Sequence, residues 1–100
     1  MKLTQFETDL IDLIPKGQDS RITSSEIKEL TSVSGATVRK IVNKSRANFI
    51  PIASDRNGYF IAVTPEELEH TIAQINSRIH KMIKAREGLK KAQKTLKEKM

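Results

Sequence analysis

Hydrophobic residues recur at helical spacing in three stretches of the first half of the chain. The first stretch predicts a helix over about residues 3–14, and Pro15 ends it. A second helix is predicted over about 24–31 and a third over about 35–47. Only one side of each pattern is apolar, so each helix is expected to pack one face against a small core.

The second and third helices begin with clear capping signals. Thr23 and Glu26 have the spacing of a capping box, and Ser34 is placed to cap the third helix. We expect Ile27 and Leu30 to form the buried side of the second helix. The buried side of the third helix is predicted to consist of Val38, Ile41 and Val42.

The hydrophobic period becomes strand-like in the middle of the chain. Residues 49–53 and 59–63 are two β-prone runs, and an Asn-Gly pair between them is a strong turn signal. They predict a β-hairpin whose turn lies in 54–58. Pro51 has no N–H to donate, so its strand is expected at an edge. Residues 21–23 predict one more short extended segment.

One long helix is predicted from residue 65 to near the C-terminus. Thr64 is its predicted N-cap, Pro65 occupies the first helical position and Glu67 completes a capping box. Apolar residues then alternate at spacings of four and three, a heptad pattern that Arg86 and Gln93 interrupt. The predicted dimerisation seam consists of Leu68, Ile72, Ile75, Ile79, Met82, Leu89 and Leu96.

The chain is therefore predicted to be mainly α with a small β-hairpin. We expect residues 1–63 to form one domain and residues 64–100 to form a long helix, a possible coiled coil, that dimerises the chain and ends in a basic tail. In the alternative interpretation, the first apolar residues of that helix pack back onto the domain and the tail is a solvated helix.

Charge is distributed unevenly over the 100 residues, which carry a net charge of +6. Residues 33–63 hold five basic side chains against one acidic side chain, and residues 78–100 hold nine against two. Two basic zones in a small protein favour a nucleic-acid partner. Cysteine is absent, which excludes a disulfide framework and thiol chemistry and suits the reducing cytoplasm in which we expect the protein.

Residues 24–42 resemble a helix-turn-helix motif. Apolar residues precede the turn, Val33 fills it and Ser34 caps the next helix. With the hairpin behind this motif, residues 1–63 resemble a winged-helix domain, a family of mostly DNA-binding modules. The resemblance implies a winged helix-turn-helix fold in which the helix at 35–47 is the recognition helix.

A wider resemblance covers about residues 20–85. The Pro-Ile-Ala-Ser segment at 51–54, the Gly-Tyr strand that begins at Gly58 and the Pro-Glu-Glu start of the long helix are similar to small winged-helix proteins encoded by phages and prophages of Gram-positive bacteria. This resemblance implies a DNA-binding role in replication or transcription control and does not separate the two. One departure is Ser45-Arg46, where an apolar residue commonly ends the recognition helix, so fraying is expected there.

A helix can read the major groove only if it has a free face that carries hydrogen-bonding groups. Arginine and lysine pair with guanine, asparagine pairs with adenine, and threonine contacts a thymine methyl group or a phosphate. We predict that the third helix lies in the major groove and that the hairpin turn contacts the backbone or the minor groove. The alternative is a merely solvated charged face. The predicted DNA-binding residues are Ser34, Gly35, Ala36, Thr37, Arg39, Lys40, Asn43, Lys44, Arg46, Arg56 and Asn57.

Catalysis has little support in the sequence. His70 and His80 lie about 80° apart around a helix, so they cannot share a metal, and no catalytic or phosphate-loop motif occurs. We expect no enzyme activity, no metal or cofactor, no small-molecule substrate and no membrane span. The expected partners are double-stranded DNA and a second copy of the chain. The alternative function is a protein-interaction adaptor for a replisome or host factor.

Overall fold

The computed structural model describes residues 2–100. Its architecture is mainly helical, with a two-stranded antiparallel sheet and a long C-terminal helix, in agreement with the predicted fold class. The elements in chain order are α1 (Gln5–Ile11), α2 (Ser24–Thr31), α3 (Gly35–Ala47), β1 (Ile52–Asp55), β2 (Gly58–Ile61) and α4 (Glu66–Glu98). None of these helices is long and apolar enough to cross a membrane.

The first helix is shorter at both ends than the hydrophobic pattern predicted. It begins after Thr4, which forms a capping box with Glu7 that the sequence analysis did not identify. It ends at Ile11, and the chain tightens into a turn before Pro15, in which the N–H groups of Leu13 and Ile14 donate to the carbonyls of Leu10 and Ile11. Ile14 is still buried, but it reaches the core from the turn after the helix.

Helices α2 and α3 have the predicted bounds, and their caps are confirmed. Thr23 and Glu26 bond reciprocally, and the hydroxyl of Ser34 accepts a hydrogen bond from the N–H of Thr37. The prediction that Leu30 is buried is wrong, since 67% of its surface is exposed. Only Ile27 of α2 reaches the core, and Val33, after the left-handed turn, packs against that core beside it.

The hairpin forms, but its turn is shorter than predicted. Asp55 pairs with Gly58, so only Arg56 and Asn57 remain unpaired between the strands. The predicted strand placement of Pro51 is wrong, because β1 begins one residue after the proline, which cannot donate to the ladder. The extended segment at 21–23 contributes a single bridge, in which Ile22 exchanges two backbone hydrogen bonds with Tyr59.

The core lies between the three short helices and the hairpin. Its side chains are almost all β-branched or leucine, and most are less than 5% exposed. Most come from a helix or strand, whereas Ile14 and Ile22 reach the core from the segment between α1 and α2, as is possible in a small domain with one core. The core residues are Leu10, Ile11, Ile14, Ile22, Ile27, Val38, Ile41, Val42 and Ile52, with Ala53 and Phe60 also buried.

The long helix contacts the rest of the molecule through its first three turns. It begins at Glu66, so Pro65 precedes it and is not its first residue, yet Thr64 and Glu67 still exchange the predicted capping bonds. Thr71 is buried against β1. Every residue from position 76 onward is exposed. A helix of 33 residues is about 50 Å long, so most of α4 extends away from the domain.

Two glycines allow a test of how tightly the hairpin packs. Gly58 has a φ of +129°, and a Cβ atom there would lie 2.5 Å from the carbonyl oxygen of Ile22. Gly58→Ala should therefore destabilise the protein by about 1–3 kcal/mol through backbone strain alone. Gly88→Ala, in open space on α4, should cause no steric clash and should stabilise the helix by up to about 1 kcal/mol. Urea unfolding followed by circular dichroism measures both; equal midpoints for the two variants would contradict the packing described.

Candidate nucleic-acid interface

Most of the predicted DNA-binding residues lie on the accessible surface of α3 and the hairpin turn. Three of them, Gly35, Lys44 and Arg46, are half-buried. The surface of α3 is accessible because its opposite side, which carries Val38, Ile41 and Val42, is packed in the core. The exposed members are Ser34, Ala36, Thr37, Arg39, Lys40, Asn43, Arg56 and Asn57.

A cleft of about 300 Å³ separates α3 from the hairpin and from α4. Arg39, Asn43 and Arg46 line it from α3, and Arg56 lines it from the hairpin turn. The structure thus brings these four predicted residues together although they are as far as 17 positions apart in the chain. Thr37, Lys40 and Lys44 do not line the cleft.

Within the cleft, Arg46 is largely committed to the fold. Its Nε donates to the carbonyl oxygen of Ile52 at 2.9 Å, and its Nη2 donates to the hydroxyl of Ser54 at 3.0 Å. Burial lowers the pKa of Arg46 below its usual value. These bonds hold the C-terminal end of α3 against β1. The fraying expected at Ser45-Arg46 therefore does not occur, and the hydroxyl of buried Ser45 donates to the carbonyl of Ile41.

Lys44 also has an intramolecular partner. Its Nζ lies 2.7 Å from Oε1 of Glu7 in α1, and both side chains are mostly covered. The hydrogen bond from Lys44 lowers the pKa of Glu7. The free basic groups of α3 are therefore Arg39 and Lys40, which form no ion pair within the described residues 2–100.

The acidic side chain that lines the cleft, Asp55, is paired with Arg21. Asp55 accepts hydrogen bonds from Nε of Arg21, and Nη2 of Arg21 lies 2.7 Å from Oδ2. Burial alone would raise the pKa of Asp55, but the bonds from Arg21 and from the N–H of Asn57 bring it below its usual value. Arg21 also lies over the ring of Phe60, 5.2 Å from its centroid. This ion pair supports the hairpin turn that carries Arg56.

The cleft contains one arginine that sequence reasoning did not include. Arg78 lies on α4, seven residues after buried Thr71 and therefore on the same side of that helix. It is exposed and lines the cleft together with Arg39 and Arg56. The seven-residue interval from Thr71 was a usable signal, but only once Thr71 was known to contact the hairpin.

The predicted dimerisation seam is apolar and mostly accessible. Leu68 and Ile75 are half-buried, whereas the remaining members are at least 48% exposed. The seam continues into a groove lined by Leu68, Ile72 and Ile75 together with Phe49 and Pro51. Phe49, which was predicted in a strand, has a positive φ of 68° and is 95% exposed. The exposed seam members are Ile72, Ile79, Met82, Leu89 and Leu96.

A comparison of the chain with protein-family models, with curated proteins and with solved structures returned no match. Among the described residues, no group of three or more histidine, aspartate or glutamate side chains could hold a metal ion.

The arginines of the cleft should separate by their effect on stability. Arg46→Ala removes bonds to Ile52 and Ser54 and should lower the free energy of unfolding by about 1–3 kcal/mol, because it leaves covered acceptors without partners. Arg39→Ala removes no intramolecular side-chain bond and should change the free energy of unfolding by less than about 0.5 kcal/mol. Chemical unfolding of both variants makes the comparison; equal losses would contradict the structural role assigned to Arg46.

Proposed function

We propose that the protein binds double-stranded DNA in a sequence-selective manner as a winged helix-turn-helix protein. In this proposal α3 enters the major groove and the hairpin turn contacts the backbone or the minor groove. The observation that carries the proposal is the exposure of Arg39 and Asn43 on the accessible face of α3, in one cleft with Arg56 of the turn. Arg39 has no ion-pair partner within residues 2–100, and Oδ1 of Asn43 accepts only a long hydrogen bond of 3.4 Å from Arg46. Arginine and asparagine are the side chains best suited to guanine and adenine.

The packing of α3 supports this assignment. A recognition helix must be held rigidly while its other side remains free. Here α3 is anchored at its start by the Ser34 cap, along its length by the core, and at its end by Arg46. Its exposed face has two unpaired basic groups and no acidic side chain. We assign the protein a cytoplasmic role in transcription control or in phage-type replication as an origin-binding protein.

We further propose that two copies pair through the exposed seam of α4. Every residue beyond position 75 is exposed, yet the seam residues Ile79, Met82 and Leu89 are large and apolar. Burying such a stripe against a second helix is favourable at about 25 cal/mol per Å². A two-fold dimer would present two recognition helices to paired half-sites.

The alternative function is a protein-interaction adaptor that uses the same fold. The exposed Phe49 beside the seam favours it, because a large exposed aromatic residue is typical of a protein interface. A basic cleft gives such an adaptor no evident advantage, and for that reason DNA binding remains the first proposal.

Selection of duplex DNA from a random library, followed by gel-shift titration, tests DNA binding. Arg39→Ala and Asn43→Ala should each cost about 1–3 kcal/mol on the selected site and little on a scrambled site. Lys91→Ala, on the outer face of distal α4, should leave the ratio of the two affinities unchanged. If each dimer neutralises about six phosphates, affinity should fall roughly 10³-fold between 50 and 200 mM salt. Absent or salt-independent binding would favour the adaptor.

Sedimentation of the full-length chain tests the dimer. The unmodified protein should sediment as a dimer at tens of micromolar, and Leu89→Glu should shift it to a monomer because the charge would be buried in the seam. Lys91→Gln, two residues away on the opposite side of α4, should leave it dimeric. A monomeric unmodified chain would refute the pairing.

A further inference from the structure

We propose that Arg39, Arg56 and Arg78 form a phosphate-binding cleft and that Arg78 of α4 is a further DNA-contacting residue. This inference rests on the proposed DNA binding and extends it to a helix outside the helix-turn-helix motif. Its ligand is the phosphate group of the DNA backbone.

The cleft contains more positive charge than its surroundings neutralise. Its walls carry four arginines from three elements, and the acidic side chain on its wall is already paired to Arg21. Arg39, Arg56 and Arg78 have no ion-pair partner among residues 2–100. An anion held between guanidinium groups is stabilised by charge-assisted hydrogen bonds, which are stronger than neutral ones.

The electrostatics of Arg46 point to the same conclusion. Burial is the main cause of its lowered pKa; Tyr59 opposes this shift, and the positive charge of Arg78 lowers the pKa further. Arg46 and Arg78 line the same cleft, and the carboxylate on its wall, Asp55, is already paired to Arg21. A bound phosphate would relieve the repulsion between Arg46 and Arg78, and the fixed position of Arg46 would make its charge available without loss of its bonds to β1.

The position of the cleft suits a backbone phosphate. It lies beside the face of α3 assigned to the major groove and reaches the hairpin turn, so DNA bound to α3 would pass its opening. The N-terminal end of α2, with Thr23 and Ser24, forms another part of its wall and adds the positive end of a helix dipole. Contact from α3, the hairpin and α4 at one phosphate would set the angle at which the domain sits on the duplex.

Replacement of Arg78 tests the cleft directly. Arg78→Gln should lower affinity for duplex DNA about 10-fold at low salt and reduce the slope of log K against log salt by about 0.9 per protomer. Lys91→Gln removes the same charge from the outer face of α4 and should leave the slope nearly unchanged. The side chain of Arg78 makes no hydrogen bond within residues 2–100, so the variant should fold normally, as circular dichroism would verify. Equal slopes for the two variants would overturn the cleft and leave DNA binding intact.

A second measurement covers the case in which no duplex binds. Inorganic phosphate is titrated into the unmodified protein while the arginine Nε–H resonances are followed by NMR. If the signals of Arg39, Arg56 and Arg78 shift, and the shifts are lost in Arg78→Gln, the cleft binds phosphate, and its phosphate ligand is not DNA. Without such shifts and without duplex binding, both proposals fail.

We propose, from a different observation, that the two copies of α4 pair in antiparallel orientation. This second inference rests on the proposed dimer. Residues 66–77 carry three glutamates and no lysine or arginine, whereas residues 78–100 carry a net charge of +7. Antiparallel pairing sets the acidic start of each helix beside the basic end of the other, while parallel pairing sets the two basic ends together.

The seam residues favour the same orientation. In a parallel pair Arg86 would meet the second copy of itself, since each core position faces its own equivalent. In an antiparallel pair centred near residue 84, Arg86 faces Met82 of the second copy, and Ile79 faces Leu89. Glu69 then lies close to Lys97, which adds an ion pair at each end.

The groove beside Phe49 fits this arrangement. In this register the C-terminal part of the second copy, around Leu96, lies opposite Ile72. Ile72 lines the groove with Phe49 and Pro51, so the second helix would cover the aromatic ring that the chain itself leaves 95% exposed.

Single cysteines decide the orientation, because the chain has none of its own. Under mild oxidation, Ile79→Cys mixed with Leu89→Cys should cross-link, while each variant alone should not. In this register the two copies of residue 79, like the two copies of residue 89, are ten residues apart along the helix axis. That distance is about 15 Å, which is beyond the reach of a disulfide. Lys91→Cys, on the outer face, is the control that should not cross-link. Cross-linking of Leu89→Cys alone indicates a parallel pair and overturns the proposal, as does a dimer whose mixture stays unlinked or a monomer in sedimentation.

Discussion

The placement of α4 depends on a set of hydrogen bonds centred on Ser54. The N–H of Ser54 donates to the hydroxyl of Thr71 at 3.0 Å, and the Thr71 hydroxyl donates back to the carbonyl of Ser54 at 3.2 Å. The hydroxyl of Ser54 accepts a hydrogen bond from Arg46. One strand residue thereby joins α3 and α4. The buried Thr71 hydroxyl is satisfied both as donor and as acceptor, which removes the cost of burying it. The position of Arg78 relative to Arg39 follows from these bonds.

The sequence predicted the bounds of those helices whose ends are set by nearby capping residues. The bounds of α2 and α3 agree with the prediction because Thr23 and Ser34 cap them through residues three positions away. The start of α1 also has a local cause, the Thr4–Glu7 capping box, which was missed. The error at Leu30 arose where a tertiary constraint decides the burial. Leu30 has the spacing of a core residue, but α2 is only eight residues long and buries Ile27 alone, while Val33, after the helix, packs against the core.

The sequence predicted which side chains of the candidate site are exposed, but not which of them bind other side chains of the chain. A polar face opposite Val38 and Val42 must be accessible, so the exposed positions of Arg39, Lys40 and Asn43 follow from the helical period. The partner of Lys44 lies 37 positions earlier in the chain, and no periodicity in the sequence brings the two together. The same reason explains the omission of Arg78, which joins the site only through the contact of α4 with β1.

The length of α4 acts as a ruler in the dimer proposed above. With pairing centred near residue 84, the two copies of Thr71 are separated by about 39 Å along the helix axis, at 1.5 Å per residue. Adjacent half-sites on one face of B-DNA are separated by about 34–36 Å, a similar distance. Seven residues inserted at the centre would lengthen the ruler by about 10 Å and preserve the seam. Operator spacing would then be set by a segment that touches no base.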